Sequence, residues 1–416
     1  MPAHTHPLPN GLTLAFERRA TPGFSFHLRV PLGSAHDPVG QEGTAGVVEE
    51  WLYKGAGQLS ARQFQDALDD LGVRRGGGSD AEATFFSGSG LGADLGAALE
   101  LFAELVRRPK LPDSELPVLL DLARQDLESL QDSPAERLGL AARQLVFGGS
   151  GYAHPGSGTP QGLSQITPAS ARAFWQRSGA RGSILTVVAD TEAQTIIGLV
   201  ERLFGDWQPG DAQPVKPQPQ LGGSAHLQGD SQQTHFTFTG RGVSPHSPDW
   251  FAWHLALTAL SGGSASRLFH AVREERGLAY TVHAGPQVVG GEALLSGYAA
   301  STPQRAPETL DVMLSELRRW RQGLSQAEFG RAQNALMAST VFGSESIRSR
   351  SGGMARDLAL FGRVREPGEM RAEIELLTLE RVNAFLESYD PGPLGLVSLG
   401  PQPLSAPQTG SEAAHV

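Results

Sequence analysis

A proline- and glycine-rich stretch near the middle of the chain constrains the fold most strongly. Residues 207–223 read WQPGDAQPVKPQPQLGG, and the proline spacing favours an extended, semi-rigid connector with no hydrophobic core of its own. A chain of 416 residues is also too long for one ordinary core, and it is expected to divide into domains of about 200 residues. We therefore predict an N-terminal domain over 1–206, a linker over 207–226 and a C-terminal domain over 227–416.

Both halves show a similar order of predicted elements. Hydrophobic periodicity and the turn and cap residues predict these strands: 12–16, 24–31, 83–87, 183–189, 234–239, 279–288, 292–299 and 395–399. They predict these helices: 60–71 with Ser60 as N-cap, 93–108, 113–131, 134–147, 168–177, 192–204, 248–260, 264–276, 306–321 and 325–342. This order predicts an α+β fold of two similar domains, each a mainly antiparallel sheet covered by helices.

Composition excludes several classes of protein. The chain is 39% apolar and 19% charged, as expected of a globular protein. Its net charge of −10 argues against nucleic acid as a partner, because phosphate binding needs clustered Lys and Arg. It contains no cysteine, so disulfides, thiolate chemistry and cysteine zinc sites are excluded.

No targeting or membrane segment is evident in the sequence. Residues 1–11 contain neither a basic n-region nor an apolar h-region, and no later run approaches eighteen consecutive apolar residues. We therefore expect no membrane partner and a cytoplasmic location.

Residues 43–55, GTAGVVEEWLYKG, carry the first informative motif. The run Gly46-Val47-Val48-Glu49-Glu50 resembles the H-x-x-E-H signature of the pitrilysin-type zinc metallopeptidases, the inverzincins. The resemblance implies that Gly46 and Glu50 stand at the two histidine ligand positions, one helical turn apart on one face. It places Glu49 at the position of the general base. Without a metal-bound water, Glu49 is either a vestigial base or an ordinary helix glutamate.

The resemblance also implies a third ligand position on a later helix. The family has a glutamate there, and the best-matched residue of this chain is Asp126, within 122–128. All three ligand positions, Gly46, Glu50 and Asp126, thus depart from the family pattern, and we expect this chain to bind no cofactor. An all-carboxylate site for magnesium, calcium or manganese is the alternative, against an ordinary solvated acidic surface.

The second motif lies at 266–280, SRLFHAVREERGLAY. Without a family resemblance, Arg273 could equally be an exposed arginine on a helix, and Tyr280 could be a strand tyrosine with its hydroxyl at the surface. In pitrilysin-type peptidases an arginine and a tyrosine seven positions later bind the substrate carbonyl and the developing oxyanion, and Arg273 and Tyr280 have that spacing. The resemblance therefore implies a substrate-binding and catalytic role for both residues. Thr84 and the run 152–159, YAHPGSGT, are weaker matches to the same family.

Together the two motifs are similar to the zinc-less subunit of the two-chain members of this family, relatives of mitochondrial processing peptidase. The resemblance implies a heterodimer in which a homologous H-x-x-E-H partner holds the zinc and receives Arg273 and Tyr280 in trans. The implied substrate is a peptide or unfolded polypeptide. Two alternatives stay open, namely a scaffold or peptide-binding subunit with no role in turnover, and a self-sufficient hydrolase with a non-zinc carboxylate metal site.

Two smaller expectations concern local structure. The family places an active-site strand at residues 75–79, RGGGS, where three glycines would let a peptide backbone approach, but a flexible turn is the expectation from the residues themselves. His4 and His6 are expected in a frayed terminus.

Overall fold

The structure is a computed structural model that describes residues 2–405. The first half of the chain forms these elements in order: β1 His4–Pro7, β2 Thr13–Arg18, β3 Gly23–Val30, α1 Thr44–Leu52, β4 Gly55–Ala56, β5 Leu59–Ser60, α2 Ala61–Asp70, β6 Arg74–Ser79, β7 Thr84–Leu91, α3 Leu95–Arg107, α4 Leu116–Leu130, α5 Pro134–Phe147, α6 Pro160–Gln165, α7 Pro168–Gln176, β8 Ile184–Ala189 and α8 Ala193–Phe204.

After an irregular stretch, the second half forms β9 Ser224–Gln228, β10 Thr234–Arg241, α9 Trp250–Ser261, a π-helical segment Phe269–Glu274, β11 Ala279–Val289, β12 Glu292–Ser301, α10 Ala306–Trp320, α11 Gln326–Phe342, α12 Ile347–Phe361, α13 Pro367–Glu375, α14 Leu379–Ser388 and β13 Gly395–Gly400. None of the helices within residues 2–405 combines the length and apolar character that a bilayer crossing requires.

The chain folds into two compact units, and each takes one segment from the opposite half of the sequence. Unit 1 contains the chain up to Ser129, His154–Lys216 and Val341–Pro367. Unit 2 contains Leu130–Ala153, Pro217–Thr340 and the chain from Gly368 onward. Helix α5 thus belongs to unit 2, and helix α12 belongs to unit 1. The contiguous boundaries 1–206, 207–226 and 227–416 stay a prediction.

Each unit is built on one mixed sheet. In unit 1 the strand order is β1-β2-β8-β3-β7-β6, and in unit 2 it is β11-β12-β10-β13-β9. All neighbouring pairs are antiparallel except β2 with β8 and β13 with β9. The predicted α+β class with mainly antiparallel sheets is confirmed. Strand β6 forms one edge of the unit 1 sheet and adjoins α1. Strand β11 forms one edge of the unit 2 sheet and carries Tyr280.

Helix α12 is held on the unit 1 sheet by apolar contacts and by a buried ion pair. Its Met354, Ala355 and Leu358 pack with Ala15 and Val188 of β2 and β8. Arg350 is 4% exposed and donates from Nε to Glu17 Oε2 at 2.5 Å, while its Nη2 donates to Glu366 at 3.2 Å. The same Glu17 also accepts from Arg19 at 2.7 Å. The carboxylate and the guanidinium therefore satisfy each other away from water.

Most predicted elements are confirmed with ends within a few residues. Ser60 is the N-cap of α2, accepting from the amide of Gln63, whose side chain accepts from the amide of Ser60 in return. The predicted helix at 264–276 is wrong in type and length, since the residues form a short π-helical segment instead. Gly262-Gly263-Ser264 precede it, and Gly263 has φ +154°, which keeps the helix from starting there.

Several elements are not predicted from the sequence, namely β1, β4, β5, β6, β9, α6, α12, α13 and α14. The frayed terminus expected for His4 and His6 is wrong, because His4–Pro7 pairs with Thr13–Phe16 of β2. The turn expected at residues 75–79 is also wrong, because these residues lie in β6 and pair with β7. A side chain would obstruct this strand, since a Cβ at Gly76 would lie 2.8 Å from Ser87 Oγ and one at Gly78 would lie 2.9 Å from the Phe85 ring.

Replacing Arg350 by alanine is expected to destabilise unit 1 strongly. The change leaves the Glu17 carboxylate buried with only Arg19 as a partner, and losing one member of a buried ion pair costs about 3–5 kcal/mol. Urea unfolding followed by circular dichroism measures this loss. Arg348→Ala on the same helix is the control, because its exposed bond to Ser89 should contribute at most about 1 kcal/mol. Equal effects of the two changes would contradict the anchoring role.

Candidate functional site

Helix α1 begins at a carboxylate that caps its backbone. Asp37 accepts from the amide of Gly43 at 2.7 Å and from the amide of Ala45 at 2.8 Å. Gly43 has φ +108°, a conformation suited to glycine. Burial raises the pKa of Asp37 to about 7, although these amides oppose the rise. The helix that carries Gly46, Glu49 and Glu50 is thus fixed at its first turn.

Gly46, the first degenerate ligand position, faces the backbone of a neighbouring loop. A Cβ at Gly46 would lie 3.0 Å from the carbonyl oxygen of Gly156, and one at Gly43 would lie 3.1 Å from that of Ser157. The loop is tied to the start of α1, because the amide of Thr159 donates to the carbonyl of Glu42 at 3.2 Å. Backbone therefore lies where a ligand side chain would have to begin.

The side chain of Glu49, on α1, is buried against the edge strand β6. Only 5% of it is exposed, and a Cβ at Gly77 would lie 2.3 Å from its Oε1, so the carboxyl group rests directly on the glycine backbone. Burial and, to a smaller extent, the charge of Glu50 raise the pKa of Glu49 to about 7, while Arg75 opposes the rise. At neutral pH this carboxyl group is therefore partly protonated and can both accept and donate a proton.

The residues present do not fit a zinc ion. Gly46 has no side chain, and both Glu50 and Asp126 are exposed. Within residues 2–405 no group of three or more His, Asp or Glu side chains is arranged to hold a metal ion. The structure therefore does not bring Glu49, Glu50 and Asp126 together into the all-carboxylate site for magnesium, calcium or manganese that was the alternative.

Arg273 and Tyr280 lie in direct contact in unit 2. The guanidinium carbon of Arg273 is 4.4 Å from the centroid of the Tyr280 ring and 4.9 Å from that of Phe269. Its Nη1 also approaches the carbonyl of Tyr280 at 3.5 Å. Stacking between two rings restricts a long, flexible side chain, and each such contact contributes about 0.5–1 kcal/mol at an exposed site. Tyr280 is 78% exposed, so its hydroxyl is open to a ligand.

Two backbone irregularities place this pair. Arg273 lies in the π-helical segment, where the amide of Glu275 donates to the carbonyl of His270 five residues earlier at 2.9 Å. Tyr280 lies at a bulge in β11, since the pairing with β12 shifts between Ala279 and Thr281. Both kinds of irregularity re-aim side chains and are enriched at functional sites.

Buried hydroxyl groups support the turn between the two irregularities. Ser301 donates to the carbonyl of Leu278 at 2.7 Å, and Thr309 lies 3.1 Å from Ser301. Arg305 donates to the carbonyls of Arg276 at 2.6 Å and Gly277 at 2.8 Å. These bonds fix the backbone that joins Arg273 to Tyr280.

Sequence reasoning missed Asp37 and Phe269. Asp37 lies six residues before the amide that it caps, outside the short spacing of a sequence capping motif. Phe269 lies four residues before Arg273, which is a recognisable helical spacing, and that signal was available in the sequence.

The geometry defines a two-unit α+β protein in which a half-buried arginine contacts an exposed tyrosine, and in which the described residues 2–405 offer no group of ligands for a metal. Residues 14–147 match the family described as insulinase, peptidase family M16, and residues 165–336 match the peptidase M16 inactive domain. The chain therefore belongs to peptidase family M16, the pitrilysin-type family whose motifs its sequence resembles.

Curated relatives and solved structures agree with this assignment. An uncharacterized zinc protease of Mycobacterium tuberculosis is 29% identical over 95% of this chain and 92% of its own length. One of Bacillus subtilis is 22% identical over 91% of this chain and 95% of its own. The crystal structure of a peptidase M16 inactive domain from Pseudomonas fluorescens covers 98% of this chain and all of its own, with TM-score 0.89 and 22% identity. A protease from Helicobacter pylori gives TM-score 0.88 and 18% identity, covering 96% of this chain and 99% of its own.

Replacing Glu49 by glutamine is expected to stabilise the protein at high pH. The carboxyl group of Glu49 has pKa about 7 when folded, against an ordinary value of 4.5. The folded state thus binds its proton more tightly, so this group lowers stability progressively as pH rises from 4.5 to 7. Glu49→Gln removes that penalty, which is on the order of 2–3 kcal/mol above pH 7.

Urea unfolding of both proteins near pH 5 and pH 8 tests this effect. The difference between Glu49→Gln and the wild type should be small near pH 5 and large near pH 8. Glu128→Gln on the exposed side of α4 serves as the control and should change stability by less than about 0.5 kcal/mol at either pH. A pH-independent difference for Glu49→Gln would show that its pKa is not raised.

Proposed function

We propose that this chain is the zinc-less subunit of a heterodimeric metallopeptidase. In this role it binds a peptide or unfolded polypeptide and supplies Arg273 and Tyr280 in trans to the zinc site of a homologous H-x-x-E-H partner. The observation that carries the proposal is the contrast between the two motifs. Among the described residues, Gly46, Glu50 and Asp126 are not grouped as metal ligands, whereas Arg273 contacts Tyr280, whose side chain is exposed.

The Arg–Tyr pair has the chemistry that peptide hydrolysis needs. A cationic donor and a phenolic donor beside each other can bind a carbonyl oxygen and stabilise the negative charge that develops on it. The fixed guanidinium of Arg273 costs little reorganisation when that charge appears, because the rings of Phe269 and Tyr280 already hold it. The match of residues 165–336 to a domain described as inactive also supports a subunit role.

The edge strand β6 supports peptide binding. Its outer edge has no strand partner within the part of the chain that the structure describes. An extended peptide can add to such an edge through backbone hydrogen bonds, which makes binding largely independent of sequence. Gly76, Gly77 and Gly78 let a second backbone approach closely. The cytoplasmic location stays a prediction.

Arg273→Ala is expected to lower peptide turnover by the assembled complex by about 100-fold to 1000-fold, the range for loss of one oxyanion donor. Assembly should be unaffected, because Arg273 packs only on residues of its own unit among those described. Turnover is measured with a fluorogenic peptide, and assembly by size-exclusion chromatography. Arg276→Ala is the matched control, since Arg276 lies three residues away and bonds to Ala271 and Glu275 of its own segment.

Tyr280→Phe separates the hydroxyl group from the ring. Phenylalanine keeps the stacking surface for Arg273 but removes the donor, so kcat should fall by at least about 10-fold with KM nearly unchanged. Unchanged turnover in both Arg273→Ala and Tyr280→Phe would reject a role in trans and favour a scaffold subunit. Stoichiometric zinc in the lone purified chain, together with peptide cleavage, would reject the zinc-less assignment.

A further inference from the structure

A cleft of about 450 Å³ lies in unit 2 between α5 and the part of the sheet formed by β10, β12 and β11. Helix α5 covers the other part of this sheet face, where Leu138 packs on Val397 and Leu399 of β13. The cleft exists because α5 does not extend over β11. Its volume falls within the range of about 300–1,000 Å³ that is typical of small-ligand sites.

Strand register places two rows of side chains on the floor of the cleft. In one row Thr237 pairs with Tyr298, and Tyr298 pairs with His283. In the next row Thr239 pairs with Ser296, and Ser296 pairs with Gly285. Directly paired residues share one face of a sheet, so both rows face α5. A Cβ at Gly285 would have no atom within 4 Å, so this row leaves open space above it.

The floor offers hydrogen-bonding groups that the protein itself does not use. Within the described residues, the side chains of His283, Thr239 and Ser296 make no hydrogen bond, and all three line the cleft. Tyr298 is held in place, because its hydroxyl lies 2.9 Å from Nδ1 of His235 and its ring lies 5.3 Å from that of His283. A ligand in the cleft would therefore meet the held ring of Tyr298, the ring of His283 and several free polar groups.

The cleft is lined almost entirely by uncharged groups. Burial lowers the pKa of His235 and His283 and raises that of Tyr298, so these residues are neutral at pH 7. The wall formed by α5 is apolar, with Leu138 and Phe147 among its residues. Arg143 is the one charged residue of the described lining, and it already has an interaction within the protein. A charged side chain that entered would lose its water without gaining a counter-ion.

We propose that this cleft binds an uncharged aromatic side chain of a peptide. The proposal rests on the proposed peptide-binding function and adds the class of side chain that unit 2 selects. An aromatic ring would bury its area against Phe147 and Leu138 and pack on the rings of Tyr298 and His283. A phenol or an indole would also find partners in the hydroxyls of Thr239 and Ser296.

The test uses the full chain alone and a set of blocked peptides. Acetylated and amidated alanine pentapeptides that carry Phe, Tyr, Lys or Glu at the centre are titrated and observed by saturation-transfer NMR near neutral pH. The Phe and Tyr peptides should bind at least about 10-fold tighter than the Lys and Glu peptides, because a desolvated charge is costly there. Equal binding of all four peptides would overturn the proposal, and tighter binding of the Glu peptide would assign the site to Arg143.

A Cβ at Gly285 would meet no atom within 4 Å, so Gly285→Leu can place its side chain in the open space beside the floor and should weaken binding of the Phe peptide at least about 10-fold. Val288→Leu is the matched control and should bind like the wild type. It lies on the same strand but on the opposite face, and it is 41% exposed. Circular dichroism verifies the fold of both variants. A second variant, His283→Ala, removes part of the floor and should also weaken binding of the Phe peptide.

The two proposals fail in different measurements. Wild-type binding by Gly285→Leu would end the proposal for the cleft and leave the dependence of complex turnover on Arg273 untouched. Unchanged turnover in Arg273→Ala would end the role in trans and leave selective aromatic binding by the lone chain in place.

Discussion

The buried contact between Arg350 and Glu17 ties the C-terminal half of the sequence to the N-terminal sheet. Arg350 lies on α12, and Glu17 lies on β2, 333 residues earlier in the chain. Removing two charges from water is costly, and here the cost is offset because Arg19, Glu366 and the carbonyl of Arg365 complete the network. Such a pairing specifies which helix covers the sheet more sharply than apolar contacts alone. Unit 1 is therefore complete only when a distant segment has been synthesised and docked.

The same sheet carries helix α1, and glycines allow this helix to pack closely on its neighbours. Gly46 lets the backbone at Gly156 come close, and Gly77 lets the carboxyl group of Glu49 rest on β6. Close packing of this kind leaves little room for a side chain at position 46. The acidic side chain that stays buried is the one whose pKa rises, so the cost of burying a charge is reduced by protonation near neutral pH.

Periodicity predicted most helices and strands, because these features are local. The resemblance to a known family, and not the spacing alone, singled out Arg273 and Tyr280 as a pair. Arg273 and Tyr280 are seven residues apart and meet through one turn. The features that the sequence did not predict depend on partners far along the chain. Helix α12 contains Ser349, Ser351, Gly352 and Gly353, which are poor helix formers, and its helical structure is supported by packing on the sheet. Strand β6 is glycine-rich and takes its extended form from pairing with β7.

In unit 2, Tyr280 of the Arg–Tyr pair and part of the cleft lining lie on the same strand, β11. Strand β11 begins at the bulge that re-aims Tyr280 and continues into Thr281, His283 and Gln287, which line the cleft. Because residues alternate between the faces of a strand, a bulge at Tyr280 changes the face of that residue relative to the residues that follow. A regular strand would place Tyr280 on the face opposite Thr281 and in register with Ala300 or Ser301. The bulge thus separates an exposed tyrosine at the start of this edge strand from the residues that line the cleft along its length.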